Sequence, residues 1–247
     1  MPAYNEEEGL EFLLNRIERI IAAFNIKSKI IIVDDGSTDH TILVIESYSH
    51  KMPIEIIRFE ENRGIAEVFR TGLKKVCQEG SDNDICITMD SDNTQNPYIM
   101  LDILSKLTDS KDCYDVVVAS RFVKGGDMVG TPFIRRMLST VVSHMLRKVI
   151  PIKGIKDYSS FYRGYRVEII RKGFEIFEEN FIKGHGFSSM ANMLIKLSKI
   201  TDRMIEVPLV LRYDLKEGGT GMKIIKTTKG YLGIIIEQLK RGNVEKE

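Results

Sequence analysis

The 247-residue sequence has no tryptophan, three cysteines and six prolines. Cys77, Cys86 and Cys113 are odd in number and lack any CxxC spacing. That excludes a disulfide framework and a cysteine zinc site, and it fits a reducing compartment. No apolar run approaches the roughly 20 residues that cross a bilayer, and no signal peptide is expected ahead of the first motif. The formal net charge is +1, so bulk charge gives no argument for a nucleic-acid partner. Internal repeats, linkers and low-complexity blocks are lacking too. What remains is 43% hydrophobic and 29% charged, a globular composition. The length suits one sizeable α/β domain or two small ones.

Apolar runs and amphipathic segments alternate along the first half. Residues 6–24 place Leu10, Leu13, Leu14, Ile17, Ile20, Ile21 and Phe24 on one helical stripe. "KIIIV" (29–33) reads as a strand buried on both faces. "DDGSTDHT" then leads into a helix near 39–49. Strands follow at 54–59, 84–89 and 114–120, with helices running to about Gln78 and over 97–108. This alternation implies βαβ units, a mostly parallel sheet, and ligands at the carboxyl ends of its strands. Asp34/Asp35 and Asp90/Asp92 sit at two such ends. Beyond residue 130, helices are expected at 133–150, 186–199 and 226–240, a loop at 157–166, and a strand at 203–213.

The stretch "DICITMDSDNTQNP" (84–97) ends an apolar run in two carboxylates one residue apart. A bare DxD of this kind is as readily a solvated turn as a cation site. Carboxylates suit Mg2+ or Mn2+, commonly completed by substrate phosphates. A cation so placed would neutralise a diphosphate leaving group.

The order of segments narrows the reading. "PAYNEEEGL", "IIIVDDGSTDHT", "ENRGIAEVFRTGL", "ITMDSDNTQNP", "ASRFVKGGD", "DYSSFYRGYR" and "IEVPLVLRY" follow one another. Together they resemble the family 2 glycosyltransferases of GT-A fold, in particular dolichyl-phosphate and polyprenyl-phosphate mannosyltransferases. The resemblance runs from Pro2 to about Lys223. It implies an α/β, doubly wound GT-A-like domain over 1–247. The donor half would be 1–123, the acceptor half 124–225, and 226–247 a C-terminal helix.

The resemblance also implies roles for residues. Pro2, Tyr4, Glu6, Val33, Asp34 and Asp35 would hold the nucleotide, Asp34 and Asp35 being alternatively helix caps. Asp90-Ser91-Asp92 would bind the diphosphate, with Asp90 and Asp92 ligating Mg2+ or Mn2+. Asp92 and Arg121 would serve catalysis, Arg121 as a phosphate contact. The family's Gly-x-Ser-Lys-Met segment matches "GGTGMK", where Gly221 stands at the lysine position and Lys223 would substitute. A metal-ligating Gln is common after the DxD; here Thr94 holds that offset and Gln95 comes one later. Asn192 replaces a carboxylate found in many members, and the tryptophan motif of processive synthases is absent. The family's strand ahead of "PxYNE" is expected to be missing, since Pro2 follows directly on Met1.

The expected reaction is transfer of a sugar from GDP-mannose or a UDP-sugar to a polyprenyl or dolichyl phosphate, with inversion. An alcohol acceptor needs a positioned base, whereas a lipid monophosphate is already largely anionic at pH 7. The 133–150 segment, with Arg135, Arg136, Arg147 and Lys148 among its apolar pairs, suits a membrane surface, a core or a dimer contact. The expected place is the cytoplasm, peripheral on the cytoplasmic face of the membrane. Rival readings are transfer to a hydroxyl of a glycan or glycolipid and a non-catalytic nucleotide-sugar-binding protein. Sugar-phosphate nucleotidyltransfer is disfavoured, because "AYNEEEGL" stands where a Gly-rich phosphate loop would open the chain.

Overall fold

The computed structural model describes residues 1–109, 113–184, 186, 188–216, 230, 231, 233, 234 and 236. The first half runs β1 (Pro2–Ala3), α1 (Glu7–Ala23), β2 (Ile30–Asp34), α2 (Thr41–Tyr48), β3 (Ile54–Arg58), α3 (Ile65–Glu79), β4 (Ile85–Thr88), α4 (Ile99–Thr108) and β5 (Val116–Ser120). The second half adds β6 (Asp127–Val129), α5 (Phe133–Val149), β7 (Arg163–Arg166), α6 (Val167–Phe177), α7 (Ser188–Leu197), β8 (Met204–Pro208) and β9 (Val210–Arg212).

β1, β2 and β3 pair in parallel, with Pro2 opposite Val33 and Ile32 opposite Ile56. α1 buries the stripe of Leu10, Leu13, Leu14, Ile17 and Ile20, so helical periodicity alone accounts for it. A second sheet has the order β4-β7-β5-β8. β5 is buried along its whole length, with Val116 and Val118 in one apolar cluster and Val117 and Ala119 in another. A strand packed on both faces loses the polar alternation of a half-exposed one.

Three features depart from the sequence reading. First, Arg163–Arg166 lies within the expected loop yet forms β7, antiparallel to both β4 and β5. Its polar letters conceal it: Arg163 is fully buried and donates to the Tyr158 and Met190 carbonyls. Gly164 lets α4 approach, because a Cβ there would overlap Ile103 and Leu107. Second, the expected 203–213 strand breaks after Pro208. β8 stays beside β5, while β9 pairs with β6. Third, the position of the first strand is not wholly empty. Met1 donates to the Ile31 carbonyl at 2.7 Å, and the Val33 amide returns to the Met1 carbonyl at 2.9 Å.

That short strand reaches only the carboxyl half of β2. Among the described residues, no strand pairs with the β4 edge opposite β7. A cavity of about 730 Å³ lies there, lined by Ile30 and Ile31 of β2, Cys86 and Ile87 of β4, and Leu73 and Val76 of α3. Met1 also borders it, and burial lowers the pKa of its ammonium to about 6. The expected 226–240 helix lies largely outside the described residues, and so does Lys223.

Candidate active site

The carboxyl ends of β1, β2 and β4 converge, and the loops leaving them are laced together. The first amides of α1 have no partner within the helix. They and the two amides just ahead of the helix find partners across the site: Asn5 donates to Ser37 Oγ and Glu6 to Thr41 Oγ1, both at 2.9 Å. The Glu7 amide donates to Asp39 Oδ2 at 3.3 Å, and the Thr38 amide to Asn5 Oδ1 at 2.8 Å. Asn5 adopts a φ of 52°, a left-handed turn that asparagine tolerates. Pro2 is buried, and its carbonyl accepts the Ser91 hydroxyl. Tyr4 is exposed at the rim.

Asp34 and Asp35 leave the capping of α2 to Asp39, whose Oδ1 accepts the Thr41 amide at 3.0 Å. Asp34 is fully buried, accepts the Ser37 amide and hydroxyl, and lies 3.4 Å from Arg58 Nε. Asp35 accepts the Arg63 amide at 2.7 Å and the Gly64 amide at 3.0 Å. Burial raises the Asp35 pKa against those amides. The pair therefore fixes two turns, residues 35–38 and 62–64. Val33 packs with Phe59 and Val68.

Asp90 and Asp92 are set from beyond the DxD. Gln95 Nε2 donates to Asp90 Oδ2 at 2.7 Å, and Gln95 Oε1 accepts the Asp90 amide at 3.1 Å. Thr94 Oγ1 donates to Asp92 Oδ1 at 2.6 Å. Gly9 of α1 lies against the Asp92 backbone, where a Cβ would stand 3.2 Å from its carbonyl carbon. The last member comes from far along the chain. Lys216 Nζ is 2.8 Å from Asp92 Oδ2 and 3.7 Å from Glu6 Oε1. β9 brings it there, since the Arg212 amide donates to the Thr94 carbonyl at 2.9 Å.

The cluster is strongly acidic for its burial. Burial first, then the Asp92 carboxylate, pushes the Asp90 pKa up to about 8. Burial raises Glu6 to about 7, with Lys216 opposing. For Lys216 burial pulls the other way, but Asp92 and Glu6 outweigh it, and its pKa is raised. Among the described residues, three carboxylates gather about the Lys216 ammonium, which leaves room in the charge balance for a divalent cation. Asp90 Oδ1 accepts no hydrogen bond among the described residues. The hard oxygens of Asp90 and Asp92 fit Mg2+ or Mn2+. Among the described residues no group of three His, Cys, Asp or Glu side chains forms a metal cage, so phosphate or water oxygens would complete the shell.

Arg121 follows β5 and is locked to Asp157. Its Nε and Nη2 donate to the Asp157 oxygens at 2.7 Å each, and Nη2 also reaches Ser159 Oγ at 2.6 Å. The Arg121, Ser159 and Ser160 amides donate to the same carboxylate. Burial disfavours the Asp157 carboxylate, yet Arg121 and these amides hold its pKa below the usual range. Arg121 is thus a clamp between two loops, and its two Nη1 N–H groups make no hydrogen bond among the described residues. Lys216 and the clamping role of Asp157 escaped the sequence reading, because their partners lie 124 and 36 residues away.

Residues 1–174 match the glycosyl transferase family 2 profile. The chain belongs to that family. The dolichol-phosphate mannosyltransferase of Pyrococcus furiosus is 29% identical over 247 residues, covering 97% of this chain and 62% of that protein. The undecaprenyl-phosphate mannosyltransferase of Micrococcus luteus is 26% identical over 210 residues, covering 85% of this chain and 80% of its own. The chain therefore spans less than two thirds of the first relative. Among solved structures, glucosyl-3-phosphoglycerate synthase from Mycobacterium tuberculosis, in complex with Mn2+, UDP and glucosyl-3-phosphoglycerate, superposes with a TM-score of 0.64. It is 16% identical and covers 96% of this chain and 76% of its own. The family 2 match and that superposition agree with the α/β fold described above.

Proposed function

We propose that this family 2 chain is an inverting glycosyltransferase that moves a sugar from a nucleoside-diphosphate sugar to a polyprenyl phosphate. The observation that carries the reading is the acidic cluster at the strand ends, with Asp90 and Asp92 oriented by Gln95 and Thr94. Asp90 and Asp92 would hold Mg2+ or Mn2+, as the Mn2+ and UDP complex of the structural relative supports. The bound cation would supply charge neutralisation at the departing diphosphate. The carboxyl ends of β1 and β2, shaped by Asp34 and Asp35, would receive the nucleotide. An anionic acceptor oxygen forms the new bond to the anomeric carbon as the bond to the nucleoside diphosphate breaks on the opposite face. No proton has to be removed from such an acceptor. The names of the mannosyltransferase relatives support both the lipid phosphate and a mannosyl donor.

A lipid substrate also gives α5 a task. Its C-terminal half packs inward through Leu146. A separate stripe of Phe133, Ile134, Met137, Val141 and Met145 is exposed. Arg147 and Lys148 close the last turn. An apolar stripe beside cations fits an anionic membrane surface, here the cytoplasmic face. Arg135 and Arg136 have other work: Arg135 Nη1 donates to Tyr213 Oη at 2.6 Å, and Arg136 pairs with Asp127 at 2.9 Å. No helix among the described residues is long and apolar enough to cross a membrane.

The test is transfer from labelled GDP-mannose and UDP-glucose to a short polyprenyl phosphate and to the matching polyprenol. Transfer to the phosphate alone, lost in a folded Asp92→Asn variant, is the expected result. Equal use of the alcohol would move the acceptor to a hydroxyl. Absence of transfer from any donor, with nucleotide still bound, would leave a binding protein.

A further inference from the structure

Among the described residues, the ammonium already at the acidic cluster is that of Lys216. Its side chain is 11% exposed, and its ammonium touches Asp92 Oδ2 at 2.8 Å. It cannot be regarded as a loosely placed surface lysine. The short turn Tyr213–Leu215 that carries it is fixed from several sides. Arg135 stacks on the Tyr213 ring, and the Gly130 backbone lies against Asp214. The other Asp92 oxygen is taken by Thr94. A divalent cation bound through Asp92 therefore meets a competitor of like charge at one carboxylate oxygen and a hydrogen bond at the other. Two cations cannot share one half-buried carboxylate oxygen without repulsion.

We infer that Lys216 is an internal counter-cation that a divalent cation must displace from Asp92, so that metal and nucleoside diphosphate bind cooperatively. This rests on the metal reading of Asp90 and Asp92 given above. Without a diphosphate, the displaced ammonium would lose a charge partner in a nearly buried position, which opposes metal entry. A diphosphate supplies new anionic oxygens to both cations at once. The nucleotide then favours metal binding beyond the direct phosphate–metal contact, and by linkage metal favours the nucleotide equally. Lys216 is a positioning residue in this scheme, since it acts through Asp92.

The test measures free Mn2+ by its EPR signal during titration, with and without GDP or UDP, so no turnover is needed. In the absence of nucleotide, Lys216→Met should bind Mn2+ at least tenfold more tightly than the unaltered protein. The gain in Mn2+ affinity on adding nucleotide should be smaller in the variant. A contact effect survives 0.5 M KCl, whereas a general loss of positive charge is screened at that salt. Lys216→Gln, which keeps a polar tip, is measured alongside and stands in if the methionine variant does not fold. Unchanged or weaker Mn2+ binding by the folded variant, or a gain that vanishes in salt, overturns the inference and leaves the metal reading intact. Failure of the unaltered protein to bind Mn2+ even with nucleotide overturns both.

Discussion

Replacing Arg121 with Met separates two roles for one residue. Sequence resemblance makes Arg121 a phosphate contact, so the variant would lose substrate affinity and keep its stability. The structure shows a bidentate pair with Asp157, whose side chain is 0% exposed, while that of Arg121 is 12% exposed. Breaking a buried pair by deleting one partner costs about 3–5 kcal/mol, because the remaining charge stays desolvated. Three backbone amides still serve Asp157, which favours the lower end, about 3 kcal/mol. For a chain of this size that lowers Tm by roughly 6–12 °C. Adding Asp157→Asn removes the orphaned charge and should recover part of the loss, the non-additivity of coupled neighbours. The pH dependence has a fixed sign. The folded-state pKa of Asp157 lies below its unfolded value of 3.8. Its contribution is therefore complete above that value and is lost as pH falls through the folded pKa. The stability gap between the two proteins should shrink in acid. Thermal and urea unfolding of the purified variants read all of this. A Tm within 2 °C of the unaltered protein, typical of an exposed pair, would refute the clamp and return Arg121 to a purely ligand-binding role.

Gly9→Val should push α1 off the Asp92 backbone, cost about 1–3 kcal/mol, and weaken Mn2+ binding in EPR titration; unaltered binding would show that this contact does not position the carboxylate. Asp90→Asn removes a group whose folded pKa of about 8 exceeds its unfolded 3.8. Such a group favours the fold most below its unfolded pKa and loses that advantage as pH rises. The variant should therefore gain stability relative to the parent between pH 5 and 8, and a pH-independent Tm difference would contradict the burial argument. Phe133→Ser with Ile134→Ser should cut sedimentation with anionic liposomes at least tenfold, since each exposed side chain forfeits up to about 1.5–3 kcal/mol of transfer. Nucleotide binding should be unchanged, and undiminished sedimentation would remove α5 from the membrane reading. A designed extension of four or five Val and Ile residues ahead of Met1 should enter the cavity between β2 and β4 and raise Tm. A cavity of about 730 Å³ takes several such side chains at about 1.5–3 kcal/mol each. Backbone ordering offsets about 1–2 kcal/mol per residue, so a gain of several degrees is expected, and none at all would mean that the cavity rejects a strand.

How much could be read in advance depended on how locally each feature is encoded. "KIIIV" (29–33) and "YDVVVAS" (114–120) carry continuous apolar cores, and β2 (30–34) and β5 (116–120) coincide with them to within one or two residues. Their βαβ connections then put Asp34, Asp35, Asp90 and Asp92 at one end of the molecule without further information. β7 was hidden because its burial rests on a different physics. "RGYR" is tolerated in the middle of a sheet only because the Arg163 guanidinium meets the carbonyls of Tyr158 and Met190. Neither carbonyl is visible as a letter in the sequence. The same holds in the site. The offset between Thr94 and Gln95 reads as a departure from a pattern, yet both side chains hold the carboxylates, one each. Lys216 reads as one more lysine ahead of a Gly-rich segment until β9 carries it 124 residues back to Asp92. Apolar pattern thus specifies where the acidic residues gather, and burial together with long-range polar contacts sets their charge state. Among the described residues, Glu6, Asp90 and Asp92 gather about one ammonium, that of Lys216, which does not neutralise them all when they ionise. Burial first, and the neighbouring carboxylates after it, raise the pKa values of Glu6 and Asp90, so both hold protons more tightly than exposed carboxyls do. A divalent cation bound at Asp90 and Asp92 would replace those protons, so metal uptake, measured in a weakly buffered titration, should release them.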